Sequence, residues 1–298
     1  MHCGGEDMKP AFIYISIVGT ALAVGTAGGI VAKRVMGGEN IIYEGDASSM
    51  TFDIDTAYEK YLNYSGNNLA KDFTPAEIVN IGLEKYRRCD NSYSITKGVA
   101  STMVTQSIRN YQIKNGDQYF EESISMSSMV KLANRMYQTG KDGDITLYKG
   151  SAVNEELGSY PSDGTTYGQT EYKNYLGKTL NEMFIYIITD STILESSIDE
   201  SDGYKIQLSL DTELSVIFYQ YQMKNISGLD KYPKFASVNL TFTFNKNLEL
   251  QHLYTDETYQ ATMGVTVDIH NMFDTYYYPN VELKIPTINE PTDYSLVG

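Results

Sequence analysis

The chain has no tryptophan, two cysteines, three histidines and only 23 basic against 38 acidic residues in 298. Each scarcity removes a class of function. Cys3 and Cys89 lie on opposite sides of an apolar run, so a run that spans a bilayer keeps them apart, and no disulfide framework is expected. Cys3 precedes that run, whereas a lipobox cysteine follows its apolar segment, so Cys3 is not a lipid attachment site. His2, His252 and His270 have no Cys or His partner at ligand spacing, which leaves no expected zinc site. The net charge of -15, without a cluster of Lys and Arg, excludes nucleic acid as a partner, because phosphate backbones are held by grouped cations.

Catalytic signatures are missing as well. The chain has no glycine-rich phosphate cradle, no G-x-S-x-G elbow and no H-E-x-x-H. Asp53-Ile54-Asp55-Thr56 lacks the preceding buried strand that a phosphotransfer aspartate needs, and helix capping explains it. The acidic loops Asp142-Gly143-Asp144 and Asp199 to Asp202 lack the ligand positions of an EF-hand and read as turns. A non-enzymatic protein with no catalytic residue, cofactor or metal is the expectation. Glu257, with Tyr259 in the same strand, is assigned to the exposed face, opposite Leu253.

What is present begins with residues 11–32, AFIYISIVGTALAVGTAGGIVA, an uncharged run between Lys9 and Lys33-Arg34. As a helix it spans roughly 33 Å, enough to cross a hydrocarbon core of about 30 Å. Ala21-Leu22-Ala23 offers a cleavage triplet, but the run is long for a signal-peptide core and ends on a basic stop, so an uncleaved signal-anchor is expected. The chain thus divides into a tail (1–10), a transmembrane anchor (11–32), a glycine-rich acidic spacer (33–50) and a folded domain (51–298). Tyrosine is abundant, 26 against 10 Phe, which suits sheets with one wet face or a binding surface.

Within the domain, Ile54, Ala57, Tyr58 and Tyr61 make one face of a short helix capped by Asp53. Thr74-Pro75-Ala76-Glu77 is a capping box opening a second helix, with Val79, Gly82, Leu83 and Tyr86 as its buried stripe. After Cys89 the period becomes two. Strands are predicted over 92–104, 106–114, 118–128, 130–138 and 144–149, with Asn115-Gly116 as a hairpin turn and Phe120, Ile124 and Met126 on one face of the third. A loop over 150–170 and a short helix near 171–176 follow, then strands at 183–189 and 203–210. A late helix over 212–227 is expected, with Asp211 as cap and Leu214, Ile217, Phe218 and Tyr221 as its stripe. Val238, Leu240, Phe242 and Phe244 then alternate with polar residues, a partner strand covers 248–259, and Met263, Val265, Val267 and Ile269 alternate again. This is an α+β arrangement, a meander of about ten antiparallel strands that must curl into a half-barrel with covering helices.

The order of helices, meander, late helix and closing hairpin VNLTFTFNKNLELQHLYTDE resembles the LolA and LppX/LprG-like lipoprotein carrier fold over most of residues 51–285. That resemblance implies a curved sheet whose concave side is plugged by helices and takes a lipid or similar amphiphile, and an extracytoplasmic domain. It carries no motif from which binding positions transfer. From the strand pattern itself, Leu208, Leu210, Phe242, Phe244 and Val267, with Ile217 and Phe218 of the late helix, are the candidate ligand-binding residues. The other open reading is a surface scaffold that binds protein or glycan through a Tyr-rich outer face. For the external orientation, protease added to intact cells should degrade the domain; a domain protected until lysis contradicts it.

Overall fold

The computed structural model describes residues 51–102, 105–127, 131–140, 144–153, 164–168, 186–227 and 229–286. The anchor 11–32, the spacer and the expected helix near 171–176 lie outside the described residues. Among those described, no helix is long and apolar enough to cross a membrane.

Among the described residues, three helices come first: α1 (Ile54–Leu62), α2 (Leu69–Asp72) and α3 (Pro75–Arg87). Their ends are set locally. Asp53 accepts a hydrogen bond from the Thr56 amide at 3.0 Å, and Thr74 and Glu77 complete the capping box, at 3.2 Å from the Glu77 amide and 2.8 Å from the Thr74 amide. Eleven strands follow among the described residues: β1 (Asn91–Ser101), β2 (Thr105–Asn115), β3 (Gln118–Met126), β4 (Lys131–Thr139), β5 (Asp144–Val153), β6 (Thr165–Gly168), β7 (Ile193–Asp199), β8 (Tyr204–Leu210), β9 (Lys234–Phe244), β10 (Leu250–Met263) and β11 (Val265–Pro279). Helix α4 (Ile217–Ser227) lies between β8 and β9.

All eleven strands form one open antiparallel sheet in the order β6-β5-β4-β3-β2-β1-β11-β10-β9-β8-β7. The chain is α+β, as expected. It lays down β1 to β6 as a meander toward one edge, restarts at the other edge with β7, and returns until β11 pairs with β1 from Ser92↔Pro279 to Ser101↔His270. Gly116, at φ 59°, supplies the left-handed residue of the β2–β3 turn that Asn115-Gly116 announces.

The main core lies between the helices and one face of β8–β11, called here the inner face. Ile78, Val79, Ile81 and Leu83 of α3 join Leu208, Leu210, Leu240, Phe242, Phe244 and Leu253 there. Gly82 lets α3 come down onto the sheet, since a Cβ at that position would stand 2.2 Å from the Phe244 ring. Tyr86 of α3 meets Tyr277 of β11 edge to face at 5.1 Å.

Across the β11–β1 seam the chemistry of the inner face changes. Register places Thr275, Thr96, Asn110 and Ser123 in one row across β11, β1, β2 and β3, and all are buried. Ser94, Gln112 and Glu121 form the neighbouring row. The Thr96 and Thr275 hydroxyls bond at 2.9 Å, and Ser125 donates to Gln106 at 2.5 Å. Ala100 and Ile108 share the inner face and cluster with Phe273 of β11, whereas Ile95, Tyr111, Ile113, Phe120 and Ile124 occupy the opposite face, so β3 is buried on both sides.

Several expectations shift. The strand expected at 183–189 is not found at 186–189; β7 starts at Ile193 and is an edge strand with mostly exposed side chains, so it has no apolar alternation to read. Part of the expected loop 150–170 is strand, with β5 reaching Val153 and β6 added at Thr165. Val265 is exposed beside the Gly264 turn. Helix α4 starts at Ile217, five residues later than expected, because Asp211 binds the Glu213 and Leu214 amides in a turn that precedes it. Since Gly82 faces a buried ring, Gly82→Val should lower stability by about 2 kcal/mol or more. Urea denaturation checks this, and an unchanged midpoint would mean that α3 does not rest on Phe244.

Candidate functional site

Four of the seven candidate residues, Leu208, Leu210, Phe242 and Phe244, are brought together in the helix-covered core, and Val267 packs at its margin. Ile217 and Phe218 are half-buried and lie outside that cluster. Val216, Tyr219 and Met223 take the core positions in and just before α4. The segment SVIFYQYQM carries apolar or aromatic side chains at several helical phases, so spacing alone does not fix which one faces the sheet.

The feature that sequence reasoning misplaced is Glu257. Leu253, Thr255, Glu257 and Tyr259 share parity in β10, and all four are buried on the inner face. Glu257 therefore lies on the same side as Leu253, not opposite it, and is 0% exposed. Counting in twos from Leu253 was the available signal.

Every neighbour of this carboxylate is held by a different element. Glu257 sits between Val238 of β9 and Asn271 of β11. Asn271 Nδ2 donates to Glu257 Oε1 at 3.0 Å and to the Tyr259 hydroxyl at 3.2 Å. Tyr219, from α4, donates to Oε1 at 3.1 Å, and Tyr186 donates to Oε2. Tyr186 opens a segment pinned from two sides: Asn80 of α3 donates to the Ile188 carbonyl at 2.8 Å, and the Ile187 amide bonds the Ser215 carbonyl at 2.8 Å. Thr192 closes the segment on itself, its hydroxyl donating to the Ile187 carbonyl at 2.8 Å.

Aromatic rings surround the group. Tyr186 meets Tyr219 edge to face at 5.2 Å, Tyr219 meets Phe235 at 5.4 Å, and Phe235 meets Tyr259 at 5.0 Å. Burial pushes the Glu257 carboxyl up to about 7, against the hydrogen bonds from Tyr186, Asn271 and Tyr219, which favour its ionised form. Burial and the Glu257 charge push Tyr186, Tyr219 and Tyr259 well above the ordinary phenol range, so their hydroxyls remain protonated.

Glu84 of α3 is the instructive contrast. It is also buried, and burial pushes it up, but hydrogen bonds from Arg87 and Arg88 hold its carboxyl below the usual value. Among the described residues, Glu257 has no Lys, Arg or His partner, and its hydrogen bonds come from neutral groups. Asn271 Oδ1 and Ser123 Oγ are buried on the same face with no hydrogen-bond partner. Such a set binds and releases a proton near neutrality and presents acceptors to a donor; it contains no activated nucleophile. His252 and His270, on the opposite face, pair with Asp274 at 2.9 Å and Asp256 at 2.8 Å. Among the described residues, no cluster of three or more His, Cys, Asp or Glu is placed to hold a metal.

Compared with known proteins, the chain matches no family model and no curated protein. The class that stands is an α+β protein with one wide, open antiparallel sheet.

The sign of the pH dependence follows from the raised carboxyl. Between the unfolded value of 4.5 and about 7, the unfolded chain is ionised while the folded one stays neutral, so this group's contribution is full below pH 4.5 and lost as pH rises through 7. Glu257→Gln should remove that slope and gain about 3 kcal/mol relative to wild type between pH 4 and pH 8. Thermal melts of both proteins across that range check it; parallel curves would show that Glu257 does not titrate out of register with the unfolded chain.

Proposed function

We propose that this protein is a membrane-tethered, extracytoplasmic, non-enzymatic binding module of LolA-like half-barrel form, anchored by residues 11–32, which takes a lipid or similar amphiphile against the inner face of its sheet. One observation supports this above the others: the inner face is amphiphilic. Its β8–β10 part is mainly apolar and covered by helices, while its β11–β3 part carries Thr275, Thr96, Asn110 and Ser123 in a buried polar row beside the small apolar cluster of Ala100, Ile108 and Phe273. A ligand with a tail and a head meets both chemistries without leaving one sheet.

Leu208, Leu210, Phe242, Phe244 and Val267 provide the wall for the tail, and α4, with Ile217 and Phe218 near its start, is the cover that gives way to admit it. No cofactor or metal takes part in this reading. A second reading, a surface module for protein or glycan, is favoured by the other side of the sheet. There Tyr93 and Tyr278 stack at 4.2 Å, and the exposed Tyr276 lies 4.8 Å from the His252 ring.

The test is native mass spectrometry of the full chain taken from its membrane into amphipol. The carrier reading expects a retained adduct of amphiphile mass. Protein that never carries one, and does not retain an added single-chain lipid, contradicts it.

A further inference from the structure

We propose that the Glu257 site anchors an ammonium group, so that the ligand is an amphiphile with an amine or methylated-amine head; this rests on the amphiphile-binding reading and adds the class of head group. Three observations converge. First, a fully buried carboxylate is costly unless a positive charge or full hydrogen bonding compensates it, and among the described residues only neutral groups reach Glu257.

Second, Asn271 turns both hydrogen-bonding contacts of its Nδ2 toward Glu257 and Tyr259, leaving its Oδ1 buried and unbonded. A carboxylate is thus bonded to an amide whose oxygen is still without a donor, and both oxygens are acceptors. The missing partner is a donor, and a charged donor satisfies the carboxylate as well. Third, the surroundings are rings: Tyr186, Tyr219, Phe235 and Tyr259 form a connected chain of contacts between 5.0 and 5.4 Å. Aromatic faces attract ammonium groups through their quadrupole and remain favourable when methyl groups replace the N–H donors.

The same arrangement excludes other heads. A phosphate, sulfate or carboxylate is repelled by the ionised Glu257, with no cation among the described residues beside it to offset the charge. A neutral hydroxyl can bond Asn271 Oδ1 but leaves the carboxylate uncompensated.

Access follows from the topology. Tyr186 and Tyr219 reach Glu257 from outside the sheet, whereas Glu257, Tyr259 and Asn271 belong to the β10–β11 ladder. Displacing the two outer tyrosines therefore uncovers the carboxylate without breaking a strand pair. Their hydroxyls occupy part of the place that the ammonium takes when it arrives.

The test uses the full chain in amphipol at pH 8, titrated calorimetrically with hexylamine, hexanoate and hexanol, which share a tail and differ in head. The expected result is binding of hexylammonium at least tenfold tighter than of the other two, with the preference lost in Glu257→Gln. A second measurement needs no variant: at pH 5, where the Glu257 carboxyl is neutral, wild type should lose the preference. Equal binding of all three at pH 8 overturns the head-group assignment and leaves the amphiphile reading standing, as does a preference that survives in Glu257→Gln or at pH 5. Binding of none overturns both.

Discussion

The structure depends on the pairing of β1 with β11. These strands are far apart in sequence, and their ladder from Ser92↔Pro279 to Ser101↔His270 turns two separate meanders into one sheet. Without it, the two halves would each present an unpaired edge, the situation that folded proteins avoid. Because α3 leads through three residues into β1, the same seam sets where that helix lies, and the Tyr86–Tyr277 contact records it. The thirteen residues of α3 then cover the apolar half of the inner face, with Gly82 setting how closely they approach.

The seam is also a chemical boundary. On its β8–β11 side, aliphatic and aromatic side chains point at the helices. On the β1–β3 side, most of the apolar residues change faces, and the inner side carries Ser, Thr, Asn, Gln and Glu with only Ala100 and Ile108 as buried apolar residues among those described. Hydrophobic burial favours folding on both sides of the boundary, but beyond it most of the buried apolar side chains point to the outer face. Glu257 and Asn271 stand where the two chemistries meet, on β10 and β11, and two features that an apolar core normally avoids lie side by side there: a buried carboxyl hydrogen-bonded only by neutral groups, among the described residues, and an unbonded amide oxygen.

Much of this was legible in the residues. The capping box at Thr74, the cap at Asp53, the turn after Asn115 and the alternation from Val238 to Phe244 are local signals, each decided by a few neighbouring side chains, and each is where it was read. Other features depend on distant parts of the chain. The face that α4 buries is chosen by Phe235 and Tyr259, which are on strands that follow it, so Ile217 and Phe218 could not be separated from Tyr219 by period. β7 is recognisable only by its pairing with β8, because an exposed edge strand has little reason to alternate. Glu257 was within reach, since its parity with Leu253 places it inside; the expectation that acids avoid cores outweighed that count. The partial inversion of faces across the seam is invisible to any single strand, because alternation says that two faces differ and not which one the helices cover.

On the proposed membrane-tethered reading, a spacer of about fifteen residues would keep the module within about 50 Å of one membrane, which suits local capture of membrane-derived molecules more than transport over a distance. The central claim, that a buried carboxylate beneath α4 is the anchor for a cationic head, is tested most directly by a crystal structure of the protein with hexylammonium bound. The account predicts the amine nitrogen about 3 Å from both a Glu257 carboxylate oxygen and Asn271 Oδ1, with Tyr186 and Tyr219 displaced. An amine bound elsewhere, with the Tyr186–Glu257–Tyr219 contacts intact, would contradict it.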